Sequence, residues 1–78
     1  MKLEEAIKRV REFRGLQKGW DSYGAEPIQE EAIQYAESLL LKLGDNWQPV
    51  PCSDGGIQLE RHMLGEPDVE IYIFPREY

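Results

Sequence analysis

The sequence predicts an α+β domain with the element order α-α-β-β-β, in which two N-terminal helices pack on one face of a small three-stranded antiparallel meander. Hydrophobic residues recur at helical spacing in two stretches of residues 1–44, separated by a loop, whereas apolar and polar residues alternate in two later segments. A turn-forming segment separates the two alternating segments. With 78 residues, of which 41% are hydrophobic, the chain should fold as one domain spanning residues 1–78.

The first helix is predicted to run from about Leu3 to Leu16. Its apolar side chains recur three and four positions apart, so they share one face that can be buried. These side chains are Leu3, Ala6, Ile7, Val10 and Phe13.

The second helix is predicted to follow Gln29, its expected N-cap, and to end at Gly44. Ile28 and Ile33 occupy the two positions of a hydrophobic staple across the helix start. The buried stripe is expected to consist of Ala32, Ile33, Ala36, Leu39, Leu40 and Leu43.

Three short strands are predicted in the last part of the chain. Pro49 and Pro51 restrict any strand around Val50 to the edge of the sheet, because proline has no amide to donate. Residues 54–56, Asp-Gly-Gly, predict a tight turn. Residues 57–64 and 69–74 alternate and are joined by a turn around residues 65–68, which predicts an antiparallel hairpin. If the strands pair around a five-residue turn, His62 lies opposite Glu70.

The chain has a formal net charge of −6, with 15 acidic and 9 basic side chains. This balance repels phosphates and anionic lipid, so we expect neither direct nucleic-acid binding nor membrane binding. Residues 1–44 carry eight acidic and seven basic side chains, and residues 45–78 carry seven and two. The cations concentrate in a basic stripe along the first helix and the residues after it: Lys8, Arg9, Arg11, Arg14 and Lys18.

The chemistry-bearing residues are few. Cys52 is the only cysteine, so no intrachain disulfide can form, and together with the lack of a leader-like or membrane-spanning segment this favours a cytoplasmic location. His62 is the only histidine, so His62 and Cys52 together supply two ligands, fewer than the four of the usual structural metal site. We therefore expect no metal and no cofactor. Cys52 has no predicted helix start beside it to activate it, and no nucleophile motif surrounds the serines, so we expect no enzyme activity.

Two segments carry a resemblance. Residues 19–25, Gly-Trp-Asp-Ser-Tyr-Gly-Ala, followed by Pro27, and residues 54–60, Asp-Gly-Gly-Ile-Gln-Leu-Glu, resemble a family of small bacterial and mobile-element proteins to which no activity is attached. The resemblance covers most of the chain and implies a large aromatic residue at the position of Arg61.

The first of these segments admits two interpretations. As a structural loop, its glycines allow positive φ, Asp21 closes an Asx turn, and Trp20 and Tyr23 fill the thin core at the corner between the helices, with Gly24 completing the turn. As a contact surface, the same aromatics would form an exposed hot spot. The structural interpretation is favoured.

The partner-binding residues are predicted on the outer face of the hairpin. Beside Gln58, this face should present Glu60, His62, Glu70, Tyr72 and Phe74, which place aromatic side chains within an acidic rim.

The leading hypothesis is therefore a small acidic protein-binding module that docks onto a basic surface of another protein. One form of it is an inhibitor of a nucleic-acid-handling complex, carried by a phage or mobile element as anti-CRISPR proteins are. The alternatives left open are a homo-oligomeric structural or accessory protein, in which a homodimer forms through Tyr72 and Phe74, and an antitoxin.

Overall fold

The structure, a computed structural model, describes residues 1–75 and confirms the α-α-β-β-β order. Helix α1 spans Leu3–Glu12 and continues as a 3-10 turn over Phe13–Gly15, and helix α2 spans Glu30–Leu43. The strands are β1 (Gln48–Pro51), β2 (Ile57–Arg61) and β3 (Val69–Ile73). Both helices contact the sheet, as predicted.

Helix α2 has the predicted ends. Gln29 is the N-cap in an extended conformation, and Gly44 ends the helix at φ +83°, with its N–H donating to the carbonyl of Leu40. Only glycine adopts that φ without steric cost, which explains the stop. Ile28 and Ile33, the predicted staple residues, are both buried.

The sheet has the order β1-β2-β3, with both pairs antiparallel. Strand β1 lies at an edge, as its prolines require. In the hairpin, Glu60 is opposite Glu70 and Gln58 is opposite Tyr72.

The predicted pairing of His62 with Glu70 is therefore wrong by two residues. Strand β2 ends at Arg61, and residues 62–68 form a longer connection with a turn in which the N–H of Glu66 donates to the carbonyl of Met63. Met63 is exposed because it belongs to this connection rather than to the strand.

One contiguous core lies between the helices and the inner face of the sheet. Its buried side chains are Ala6, Val10, Phe13, Ile28, Ala32, Ile33, Ala36, Leu40, Trp47, Ile57, Leu59 and Ile73. At one end of this core the guanidinium of Arg61 lies over the ring of Trp47, 5.5 Å from its centroid. Arg61 thus packs on an aromatic ring at the position where the resemblance implies an aromatic residue.

The loop between the helices is joined to the turn between β1 and β2. The N–H of Glu26 donates to the carbonyl of Ser53 at 2.8 Å, and the N–H of Gln29 donates to that of Gly55 at 3.0 Å. Gly55 has φ +94°, and a Cβ there would lie 3.0 Å from the carbonyl oxygen of Pro27. The loop and the turn therefore meet in one loop–turn joint, defined here as residues 26–29 and 53–55.

Candidate interaction surface

The surface predicted to bind a partner is formed by the outer side of the β2–β3 hairpin and its extension. We call it the hairpin face and define it as Gln58, Glu60, His62, Glu70, Tyr72 and Phe74. Strand pairing brings Glu60 and Glu70 directly opposite each other. Like charges directly opposite each other destabilise a hairpin.

The carboxylate of Glu60 is only partly compensated. The side-chain amide of Gln58 donates to Glu60 Oε1 at 2.8 Å, and the ring of His62 lies 3.3 Å from Glu60 Oε2. Among the described residues, Glu70 has no cationic partner. The hairpin face therefore presents net negative charge.

His62 bridges two carboxylates across the end of the hairpin. Its Nδ1 lies 3.1 Å from Asp68 and its Nε2 lies 3.3 Å from Glu60. Hydrogen bonding to Asp68, and to a smaller extent to Glu60, raises the pKa of His62 above its ordinary value, because both carboxylates favour the protonated ring. Asp68 was not predicted as a neighbour of His62, because the predicted register placed Glu70 there.

Tyr72 and Phe74 form the aromatic part of the hairpin face. Their rings are stacked with centroids 4.5 Å apart and an interplanar angle of 9°. Phe74 is 75% exposed and Tyr72 is 37% exposed, so the stack is open to solvent. Large exposed aromatic residues beside charged groups are typical of protein contact sites.

A groove of about 650 Å³ adjoins this stack between α2 and β3. Helix α2 contributes Tyr35 and Ser38, and β3 with the residue after it contributes Tyr72, Ile73 and Phe74. Tyr35 is 60% exposed. Tyr35 was not predicted as part of this surface, because it lies outside the buried stripe of α2. Only the packing of α2 against the sheet brings it into the same groove as Tyr72.

The loop between the helices is largely structural. Trp20 Nε1 donates to the carbonyl of Glu26 at 2.8 Å, and Asp21 Oδ1 accepts from the N–H groups of Tyr23 and Ala25 at 2.8 and 3.0 Å. Gly24 has φ +82°. These contacts agree with the structural interpretation of Trp20, Asp21 and Gly24.

Tyr23 corrects the prediction for this loop. Its side chain is 91% exposed and fills no part of the core. The reason is geometric: the turn closed by Asp21 places residue 23 at the outer tip, with Ser22 at φ +69°. Tyr23 is therefore a second exposed aromatic site.

The basic stripe is largely neutralised within the molecule. Three of its five cations form ion pairs with acidic residues of α2 and the preceding loop: Arg11 with Glu37 at 2.6 Å, Arg14 with Glu30 at 2.7 Å, and Lys18 with Glu26 at 3.1 Å. The Arg14 pair is bidentate and lowers the pKa of Glu30. These ion pairs connect α1 and the residues after it to α2 and to the loop that precedes α2.

The thiol of Cys52 is poorly suited to act as a nucleophile. Partial burial and the nearby Asp54 raise its pKa, so the thiol form is favoured. Within residues 1–75, no group of three or more His, Cys, Asp or Glu side chains is arranged to hold a metal ion. Neither helix in this part of the chain has the length and hydrophobicity of a membrane span. The absence of enzyme activity remains a prediction.

Comparisons of this chain with protein-family models, with curated proteins and with solved structures gave no match.

Proposed function

We propose that this chain is a protein-binding module that docks the hairpin face onto a basic surface of another protein. The observation that carries the proposal is the opposition of Glu60, which is half-buried, and Glu70, which is exposed, on the outer side of the hairpin. A like-charge pair costs stability in the free protein, and a cation supplied by a partner would remove that cost.

The distribution of ion pairs supports the same face. Intramolecular pairs neutralise most of the basic stripe, whereas residues 57–74 carry four acidic side chains against Arg61 and His62. Within the hairpin, Arg61 pairs with Glu66 and His62 pairs with Glu60 and Asp68, which leaves Glu70 without a cationic partner among residues 1–75. A basic partner would be attracted to the hairpin face, which favours fast association at low salt.

The stacked rings supply the apolar part of such a contact. Tyr72 and Phe74 lie next to Glu70, so one partner surface can cover the aromatic stack while its Lys or Arg side chains pair with the carboxylates. An arginine of the partner can pair with a carboxylate and can also stack on an aromatic ring, so it suits both the acidic and the aromatic part of the hairpin face.

A matched pair of charge variants tests this proposal. Glu60→Lys with Glu70→Lys reverses the charge of the hairpin face. Because Glu60→Lys also loses the contacts of Glu60 with Gln58 and His62, circular dichroism should first establish that the variant is folded. Glu5→Lys with Glu12→Lys makes the same change in net charge on exposed positions of α1. In pull-downs from host lysate with mass spectrometry, wild type and the α1 variant should capture the same partner, and the hairpin variant should lose it. Capture that is unchanged in the hairpin variant would refute the proposal.

The inhibitor form of the hypothesis makes a narrower prediction. A small acidic protein can occupy a nucleic-acid channel by placing carboxylates where phosphates bind. If the partner is a nucleic-acid-handling complex, a single-stranded oligonucleotide should displace the chain competitively. Simultaneous binding of both would exclude this form and leave the general proposal intact.

The exposed aromatic stack also favours a second candidate, the homo-oligomer. Tyr72 and Phe74 could be covered by a second copy of the chain. Light scattering after size exclusion separates the two: a salt-resistant dimer that Phe74→Ala converts to a monomer supports the homo-oligomer, and a wild-type monomer supports the heterologous partner.

A further inference from the structure

We infer that the free edge of β3 accepts an extended basic segment of the partner as a fourth strand of the sheet. This inference rests on the proposed function, since the same partner would supply the segment. Its basis is a difference between the two edges of the sheet.

The hydrogen-bond alternation identifies which backbone groups point away from the sheet. The N–H of Cys52 donates to the carbonyl of Gly56, so Gly56 and every second residue after it face β1. Ile57, Leu59 and Arg61 then face β3 and pair with Ile73, Ile71 and Val69. The intervening residues of β3, Glu70 and Tyr72, therefore direct their N–H and C=O groups outward.

The edge formed by β1 is blocked by the same alternation. Its outward-facing positions are Pro49 and Pro51, which have no N–H to offer to another strand. Proteins commonly protect sheet edges in this way. Strand β3, with the sequence Val-Glu-Ile-Tyr-Ile, has neither proline nor lysine, so its edge lacks that protection.

The groove between α2 and β3 gives a fourth strand room beside this edge. Its lining includes Tyr35 and Ser38 on the helix and Tyr72 on the strand. No Lys or Arg is among the described lining residues. A strand added to β3 would hydrogen-bond to Glu70 and Tyr72 and place every second side chain on the hairpin face.

Charge selects the occupant of this edge. A side chain directly across from Glu70 on the added strand would meet a carboxylate that has no cationic partner among residues 1–75, so Lys or Arg is favoured there. A second copy of the chain would bring its own Glu70 and a net charge of −6 to the same place. The occupant is therefore a basic, extended segment of a different protein.

Three synthetic peptides test this inference on the full chain. The first alternates valine and lysine over eight residues, the second alternates valine and glutamate, and the third contains the valines and lysines in two blocks. Amide NMR titration should show binding of the first peptide at least about tenfold tighter than of either control, a difference of about 1.4 kcal/mol. Hydrogen exchange of the Glu70 and Tyr72 amides should slow on binding.

Two variants at one position separate edge pairing from charge. Glu70→Gln removes the carboxylate and keeps the outward N–H, whereas Glu70→Pro removes both without removing a hydrogen bond to β2. Binding should weaken in Glu70→Gln and weaken by roughly a further tenfold in Glu70→Pro, in line with the loss of a backbone hydrogen bond. If Glu70→Pro does not fold, exchange of the two wild-type amides decides the question alone.

The outcomes distinguish the two proposals. Equal binding by both variants, or unchanged exchange at Glu70 and Tyr72, would overturn edge pairing and leave docking of the hairpin face standing. Equal binding of the lysine and glutamate peptides would overturn edge pairing by a basic segment, and the lysate experiment would then decide the docking proposal separately. A wild-type dimer that Glu70→Pro abolishes would overturn the inference in favour of a second copy.

Discussion

Gly56, immediately before β2, is the position where the smallest substitution should have the largest effect. A Cβ added there would lie 2.5 Å from the carbonyl oxygen of Ile73, 2.9 Å from the ring of Tyr72 and 3.1 Å from Pro75. The closest atom belongs to the backbone of the neighbouring strand, so a side-chain rotation cannot relieve the contact. Gly56→Ala must therefore separate β2 from β3 at this end or shift the strand.

The size of the effect follows from this geometry. Overpacking of a buried site costs about 1–3 kcal/mol, and the backbone contact places Gly56→Ala near the upper end, at about 2–3 kcal/mol. For a domain of this length, 1 kcal/mol corresponds to about 6 °C in Tm. The variant should therefore melt about 12–18 °C below wild type.

Thermal unfolding monitored by circular dichroism measures this shift, with two glycine controls. Gly15→Ala adds the same methyl group where nothing lies within 4 Å, and it should leave Tm within about 3 °C of wild type. Gly65→Ala also meets no neighbour but has φ +81°, so strain alone should cost about 1 kcal/mol. A Gly56→Ala variant that melts no lower than Gly65→Ala would refute the steric argument.

Three further predictions concern pH, the loop and the thiol. Because the pKa of His62 is raised in the folded protein, protonated His62 stabilises the fold fully below about pH 6.5, and this stabilisation is lost as the pH rises through the folded-state pKa. His62→Gln should remove this pH dependence of the free energy of unfolding, as measured by urea titration. Trp20→Phe should lower the free energy of unfolding by about 1 kcal/mol, because the hydrogen bond from the indole to Glu26 is lost. Tyr23→Ala should change it by less than about 0.5 kcal/mol, and a larger loss would contradict the exposed position of Tyr23. Cys52 should react with iodoacetamide at pH 8 more slowly in the folded chain than in urea, and equal rates would show that burial does not protect it.

The helices and the existence of three strands could be predicted because their signals are local. The ends of α2 at Gln29 and Gly44 depend on capping geometry that a few neighbouring residues determine. The register of the hairpin could not be predicted in the same way. A shift of two residues keeps every side chain on its original face, so alternation fits Glu60–Glu70 pairing and His62–Glu70 pairing equally well. The length of the connection decides, and it is seven residues, 62–68, rather than five.

The candidate surface was predictable only where it follows from alternation within a strand. Glu60, Glu70 and Tyr72 share the outer face for that reason. The groove beside Tyr35 depends on where α2 lies relative to β3, which is a consequence of tertiary packing. The exposure of Tyr23 was not predictable either, because an aromatic residue in a glycine-containing loop can point inward or outward.

The loop–turn joint has a consequence for how the molecule opens. Its two backbone hydrogen bonds connect the segment between the helices to the turn between β1 and β2, so neither the helical pair nor the sheet can detach without breaking both. The chain should therefore behave as a single cooperative unit. The amides of Glu26 and Gln29, although they belong to a loop, should exchange with solvent only through global unfolding.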